Sequence, residues 1–225
     1  MRDIAGVLFD LDGTLVNSED LHLGAWNRTL AGFGLELPDG WNAAAIGVPD
    51  IVTAERMSKR YPDLLPGKDE INNVKQNLYR RLVMERGRDI AYPGVEEVVL
   101  RLAAEGIGTA VGTNSDAANT ETALAAAGLL DYFPVRVTLD AVARGKPDPE
   151  IYVTAARLLG LAPERCAVIE DSVSGVAAGR AAGCLTLAVT TTSPASALAE
   201  AERFFPDTPS AVKWILERTA KGGAA

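Results

Sequence analysis

The 225-residue sequence has a single histidine, His22, and only two cysteines, Cys166 and Cys184. One histidine excludes any metal centre built from several imidazoles. The cysteines lie in the apolar stretches RCAVIE and AGCLTLAV without the paired spacing of a zinc site, so buried structural thiols are expected. Positive charge is also scarce, with 22 Lys and Arg against 30 Asp and Glu and a formal net charge of -8. Nucleic acids and anionic membrane surfaces are bound by clustered Lys and Arg, so neither is expected as a partner. No apolar run approaches the roughly 20 residues that span a bilayer. The opening MRDIAGVLFD lacks the small-residue cleavage site of a signal peptide, and a cytoplasmic location is expected.

What the sequence does contain is an ordinary globular mixture, 48% hydrophobic and 23% charged, long enough to bury a substantial core. Four short apolar runs, residues 4–9, 107–112, 166–169 and 184–189, have strand length and are continuous rather than alternating. That pattern suits strands covered on both faces. Helical spacing over 94–104, 116–127, 149–160 and 173–182 separates the later runs, and Gly follows several of these segments. The expectation is an α/β fold, a Rossmann-like parallel sheet. Between Asp20 and Ile90 the strand runs give way to helical segments broken by LPDG and PDLLPG, which predicts a bundle of about four helices inserted after the first strand. The expected division is a core of residues 1–16 and 91–225 with a helical cap of residues 17–90. The closing AKGGAA is expected to fray.

The chemistry is concentrated just past the strand ends. VLF leads into Asp10-Leu11-Asp12, AVG into Thr113-Asn114-Ser115, and AVI into Glu170-Asp171-Ser172, while RGKPDP presents Lys146 before another helix. In an open parallel sheet ligands bind outside the carboxyl ends of the strands, so these groups are expected to share one crevice. Carboxylates crowded together repel and raise one another's pKa, so the cluster calls for a cation. Mg²⁺ suits hard oxygen ligands beside a phosphate. Asp10 is then placed to attack a phosphoryl group whose equatorial oxygens are held by Thr113 and Lys146. Asp12 is placed to protonate the leaving oxygen and later to activate water.

The ordered set DLDGTL, TNS, GKPDP and EDSVSG resembles the four motifs of the haloacid dehalogenase (HAD) superfamily, and Asp12 resembles its phosphatase branch. The cap position, the total length and EDLHLGAW at 19–26 are similar to the β-phosphoglucomutase-like subgroup. The resemblance implies a HAD fold with an inserted four-helix-bundle cap and a Mg²⁺-dependent phosphatase acting on small phosphate monoesters, with a phosphosugar mutase as the alternative. It implies Asp10 as nucleophile and Asp12 as acid/base and as a metal ligand through its backbone carbonyl. It further implies Asp171 and Glu170 as metal ligands, and backbone donors from Leu11, Asp12 and Asn114 at the phosphoryl group. Asn17 departs from a commonly acidic position. In the mutases the segment matching GVPDI carries an arginine that anchors a second phosphate, whereas this sequence has Asp50. His22 and Lys75, on expected cap helices, are candidates for the substrate side. A receiver-like phosphoacceptor also joins acidic strand ends to a hydroxyl and a lysine, but needs about half this length and no cap. The expected partner is a small phosphorylated molecule, and the expected state a monomer or weak homodimer.

Overall fold

The computed structural model describes residues 3–38 and 48–222. Six parallel strands form one sheet: β1 (Gly6–Phe9), β2 (Gly108–Gly112), β3 (Val135–Val137), β4 (Cys166–Glu170), β5 (Leu185–Val189) and β6 (Arg203–Phe205), in the order β3-β2-β1-β4-β5-β6. The four expected strands are the central ones. They are buried along almost their whole length, which is why they read as continuous apolar runs. The two edge strands are three residues long, β3 buried only at Val137 and β6 largely exposed, so they carry no such signal.

Alternate residues of β1 face different cores. Val7 and Phe9 pack with Val111, Ile169 and Leu187 against α4 (Val95–Ala104), α5 (Ala117–Ala127) and α8 (Thr208–Gly222). Leu8 packs with Ala110 and Val168 against α6 (Glu150–Leu158) and α7 (Val173–Ala181). Both cysteines are free and buried. At roughly 1.5–3 kcal/mol for each large side chain buried, these two layers dominate the stability of the sheet.

The inserted segment contains three α-helices among the described residues: α1 (Glu19–Ala31), α2 (Asp50–Arg60) and α3 (Lys68–Arg86). The expectation of four helices extends into residues 39–47, which lie outside the described residues, as does the end of LPDG. The helices form their own apolar cluster, including Trp26, Leu30, Met57 and Ile71. Leu21, Ala25, Tyr79, Leu82 and Val83 of the same helices join the larger core cluster, so the cap-like region is packed onto the sheet. The closing tail is helical as far as Gly222, and residues 223–225 lie outside the described residues.

Candidate active site

The sheet register brings the expected groups together. Phe9 pairs with Val111 on one side and Ile169 on the other, so Asp10, Thr113 and Glu170 leave the sheet at nearly the same level. The Asp10 amide still donates to Ile169 O at 3.0 Å, and the Thr113 amide to Val137 O at 3.0 Å, which fixes both strand ends. They open onto a cavity of 370 Å³ lined from the sheet by Asp10, Asp12, Thr113, Asn114, Ser115, Lys146, Asp171 and Ser172.

Asp10, Glu170 and Asp171 each offer an oxygen within 4.8 Å of the others. All three are buried. Burial, together with the neighbouring carboxylates, pushes the Asp10 pKa well up, and Lys146 only partly offsets this. Burial and Glu170 do the same to Asp171. This oxygen-only set, destabilised by its own charge, fits a divalent cation. Lys146 Nζ donates to Asp10 and, at 2.6 Å, to Glu170 Oε1. Burial alone would lower the Lys146 pKa, but these two carboxylates outweigh it and hold the ammonium charged.

Glu170 is saturated with donors. Its Oε1 also accepts from the Tyr152 hydroxyl at 2.7 Å, and its Oε2 accepts from the Asp171 and Ser172 amides and the Ser172 hydroxyl. The sequence left open that Glu170 or Asp171 caps the following helix. Ser172 takes that role instead, accepting from the Gly175 amide at 3.0 Å. Asp171 accepts from Thr14 at 3.3 Å and from Thr192. Gly13 passes beneath it at φ 81°, where a side chain would collide with the Asp171 carboxylate.

Asp12 lies outside the carboxylate cluster. Its Oδ1 accepts from Ser18 at 2.5 Å, Tyr79 at 3.2 Å and His22 at 3.4 Å, and its Oδ2 from Ser115 at 2.8 Å. Burial alone would raise its pKa, but the hydrogen bonds from His22, Ser18 and Ser115 outweigh that and hold it far below the usual carboxylate range. The expected metal contact through Asp12 therefore concerns its backbone alone, because the side chain is turned to the cap.

The cap residues form a linked polar chain. Lys75 Nζ donates to Asp50 Oδ2 at 2.5 Å and to His22 Nδ1 at 2.6 Å, which leaves His22 Nε2 as the donor toward Asp12. Asp50 also accepts from the Trp26 indole at 2.9 Å and from Gln76 at 3.2 Å, and Asn119 of α5 donates to Gln76 at 2.6 Å. Burial would raise the Asp50 pKa, but Lys75 and His22 carry it below the ordinary value. Burial pulls Lys75 down despite Asp50. Lys75 is fully buried and is absent from the cavity wall, so its reach to a ligand is indirect. Asp50 does line the cavity, but as an ion-paired group rather than a bare charge.

His22 lines the cavity, stacked on Tyr79 with ring centroids 4.0 Å apart. Asn114 also lines it, with its side chain bonded in both directions to the Lys146 backbone. Leu11 is buried and absent from the wall, so only its backbone could reach a ligand. Sequence reasoning missed Ser18, Tyr79 and Ser115 around Asp12, Tyr152 beside Glu170, and Glu19 in the cavity wall. Ser115 and Glu19 sit inside the TNS and EDLHLGAW motifs and could have been found there; Tyr79 and Tyr152 lie within helices and carried no local signal.

A family model for haloacid dehalogenase-like hydrolases matches residues 4–183. The chain is 32% identical over 207 residues to a validoxylamine A 7'-phosphate phosphatase of Streptomyces hygroscopicus subsp. limoneus, covering 92% of this chain and 95% of that one. It is 32% identical over 183 residues to a phosphorylated carbohydrates phosphatase of Thermotoga maritima, covering 79% and 81%. A crystal structure of a β-phosphoglucomutase from Clostridium difficile superposes with a TM-score of 0.84 at 22% identity over 99% of this chain and 100% of that one, a likeness of fold. With the acidic strand ends gathered around Lys146 and a match across most of its length, the chain belongs to the haloacid dehalogenase-like hydrolase family.

Proposed function

We propose that the protein is a Mg²⁺-dependent phosphatase of small phosphate monoesters, sugar phosphates foremost, working through an aspartyl phosphate on Asp10. The observation that carries this reading is the division of the strand-end carboxylates. Asp10 sits with Lys146 in the cluster, while Asp12 faces the same cavity but is held apart by its own donors. The two relatives named as phosphatases support it. Residues 1–16 and 91–225 then act as the catalytic unit and 17–90 as its cap.

In this reading an Asp10 oxygen attacks phosphorus and the bond to the leaving alcohol oxygen breaks. Lys146 and Thr113 hold the equatorial oxygens, with backbone donors of Leu11, Asp12 and Asn114. Asp12 supplies a proton to the leaving oxygen, since a bound phosphate dianion raises its proton affinity, and it takes a proton from the water that cleaves the acyl phosphate. Asp10 and Asp171 would hold Mg²⁺ directly, Asp12 through its carbonyl, and Glu170 through water because both its oxygens are engaged. When bound, the ion screens the repulsion between nucleophile and phosphate. The test is release of inorganic phosphate from p-nitrophenyl phosphate and a panel of sugar phosphates. Turnover should be lost with EDTA, restored by Mg²⁺ and abolished in Asp10→Asn, whose melting temperature should equal or exceed that of the wild type. Wild-type turnover in Asp10→Asn would remove the nucleophile.

A further inference from the structure

The proposed phosphate site takes up only the sheet end of the cavity. The remainder must receive the alcohol. Its wall there includes Glu19, His22, Leu23, Trp26 and Asp50. Lys146 is the only Lys or Arg among the described lining residues, and it is bonded to Asp10 and Glu170. Lys75 lies behind the wall, already bonded to Asp50 and His22.

Glu19 differs from its neighbours. It stands in the first turn of α1, half-buried, with no hydrogen-bond or ion-pair partner among the described residues. Burial raises its pKa, and His22 and Lys75 lower it only in part. A half-buried carboxylate facing a cavity gains most from a donor supplied by the ligand. A second anion placed there would meet Glu19 with no cation to receive it, because Asp50 has already taken the ammonium behind the wall.

Resting on the phosphatase reading, we infer that the alcohol released is non-anionic and carries a hydroxyl or ammonium that donates to Glu19. Glu19 is thus the residue that ranks substrates by charge, favouring amino sugar phosphates over neutral ones and neutral ones over bisphosphates. The recognition is independent of the chemical step. It is therefore measured as binding to Mg²⁺-loaded Asp10→Asn by calorimetry, with turnover followed separately in the wild type.

The probes are glucose 6-phosphate, glucosamine 6-phosphate and glucose 1,6-bisphosphate at about pH 6.5, where the amine is protonated. Glucosamine 6-phosphate should bind at least about threefold tighter than glucose 6-phosphate, and the bisphosphate at least about tenfold weaker. In Asp10→Asn/Glu19→Gln the amine preference should fall to nothing and the penalty on the bisphosphate should shrink. Equal affinities for the three probes, or a ranking that survives Glu19→Gln, would overturn the inference even if all three are hydrolysed. The expected ranking without any turnover in the wild type would support it and overturn the phosphatase reading instead.

Discussion

Lys75→Met isolates the ion pair that organises the cap. The ammonium is fully buried, 2.5 Å from Asp50 and 2.6 Å from His22, and methionine keeps much of its stem while removing the charge. Breaking a buried pair by deleting one partner costs about 3–5 kcal/mol, because the other charge is left behind. Here the loss has a ceiling, since Asp50 can take a proton. Doing so at pH 7 from an ordinary carboxylate pKa near 3.9 costs about 4 kcal/mol. For a chain of this size the melting temperature should fall by roughly 6–16 °C. The pH dependence has a definite sign. In the wild type the folded-state pKa of Asp50 is depressed, so its stabilising contribution is present above its unfolded value and is lost as pH falls through the folded value. Without Lys75 burial dominates and the folded pKa rises. The variant then binds a proton on folding, and its deficit shrinks by about 1.4 kcal/mol per pH unit between pH 7 and pH 5. Thermal melts of both proteins across that range measure the gap. A deficit below about 1 kcal/mol at pH 7, the scale of an exposed pair, or one that stays constant down to pH 5, would refute the reasoning.

Two further outcomes concern the first loop. Asp12→Ala should lower turnover of a sugar phosphate by about 10² to 10⁴-fold and that of p-nitrophenyl phosphate by less, because nitrophenolate leaves with little need of a proton; equal losses in steady-state assays would count against a leaving-group role. Gly13→Ala places a side chain at φ 81° and against the Asp171 carboxylate, so a loss of more than about 1 kcal/mol is expected. Calorimetric melts should also show a smaller rise in melting temperature with added Mg²⁺ than in the wild type.

The parts legible in the sequence are those in which one local pattern reports one environment. Leu8 and Phe9 are buried on opposite faces of the sheet, so β1 had to be apolar throughout, and the polar residues next to it in the chain had to lie at its carboxyl end. The same holds for β2 and β4, and parallel register then aligns Asp10, Thr113 and Glu170. The cap chemistry has no such pattern. Asp50, Lys75, Gln76 and Asn119 are far apart in sequence, and their bonds depend on how α2, α3 and α5 pack. Read alone, Asp50 is a negative charge on a helix start and Lys75 a solvated lysine. Only the fold shows that each neutralises the other. Edge strands escaped for a different reason, since Val135–Val137 and Arg203–Phe205 are only three residues long, and Arg203–Phe205 is largely exposed, so neither needs an apolar run.

Asp10 and Asp12, two residues apart, are driven in opposite directions. A strand continued past Phe9 would place residues i and i+2 on one face and give both carboxylates one environment. The chain instead turns at Leu11, whose carbonyl accepts from the amides of Thr14, Leu15 and Val16. Asp10 is thereby left among Glu170 and Asp171, which favour its protonated form, and Asp12 is sent to hydroxyls and an imidazole, which favour its ionised form. Neighbouring carboxyls with diverging proton affinities are what a two-step transfer needs, because one must stay bare to attack while the other exchanges a proton. The site in isolation makes the nucleophile the harder of the two to ionise. Lys146 supplies one positive charge against the three carboxylates of the cluster, which leaves the deficit a divalent cation would remove. Dependence on the metal in the proposed reaction would therefore act first on the ionisation of Asp10, whereas Asp12, already held by four donors, keeps its charge without it.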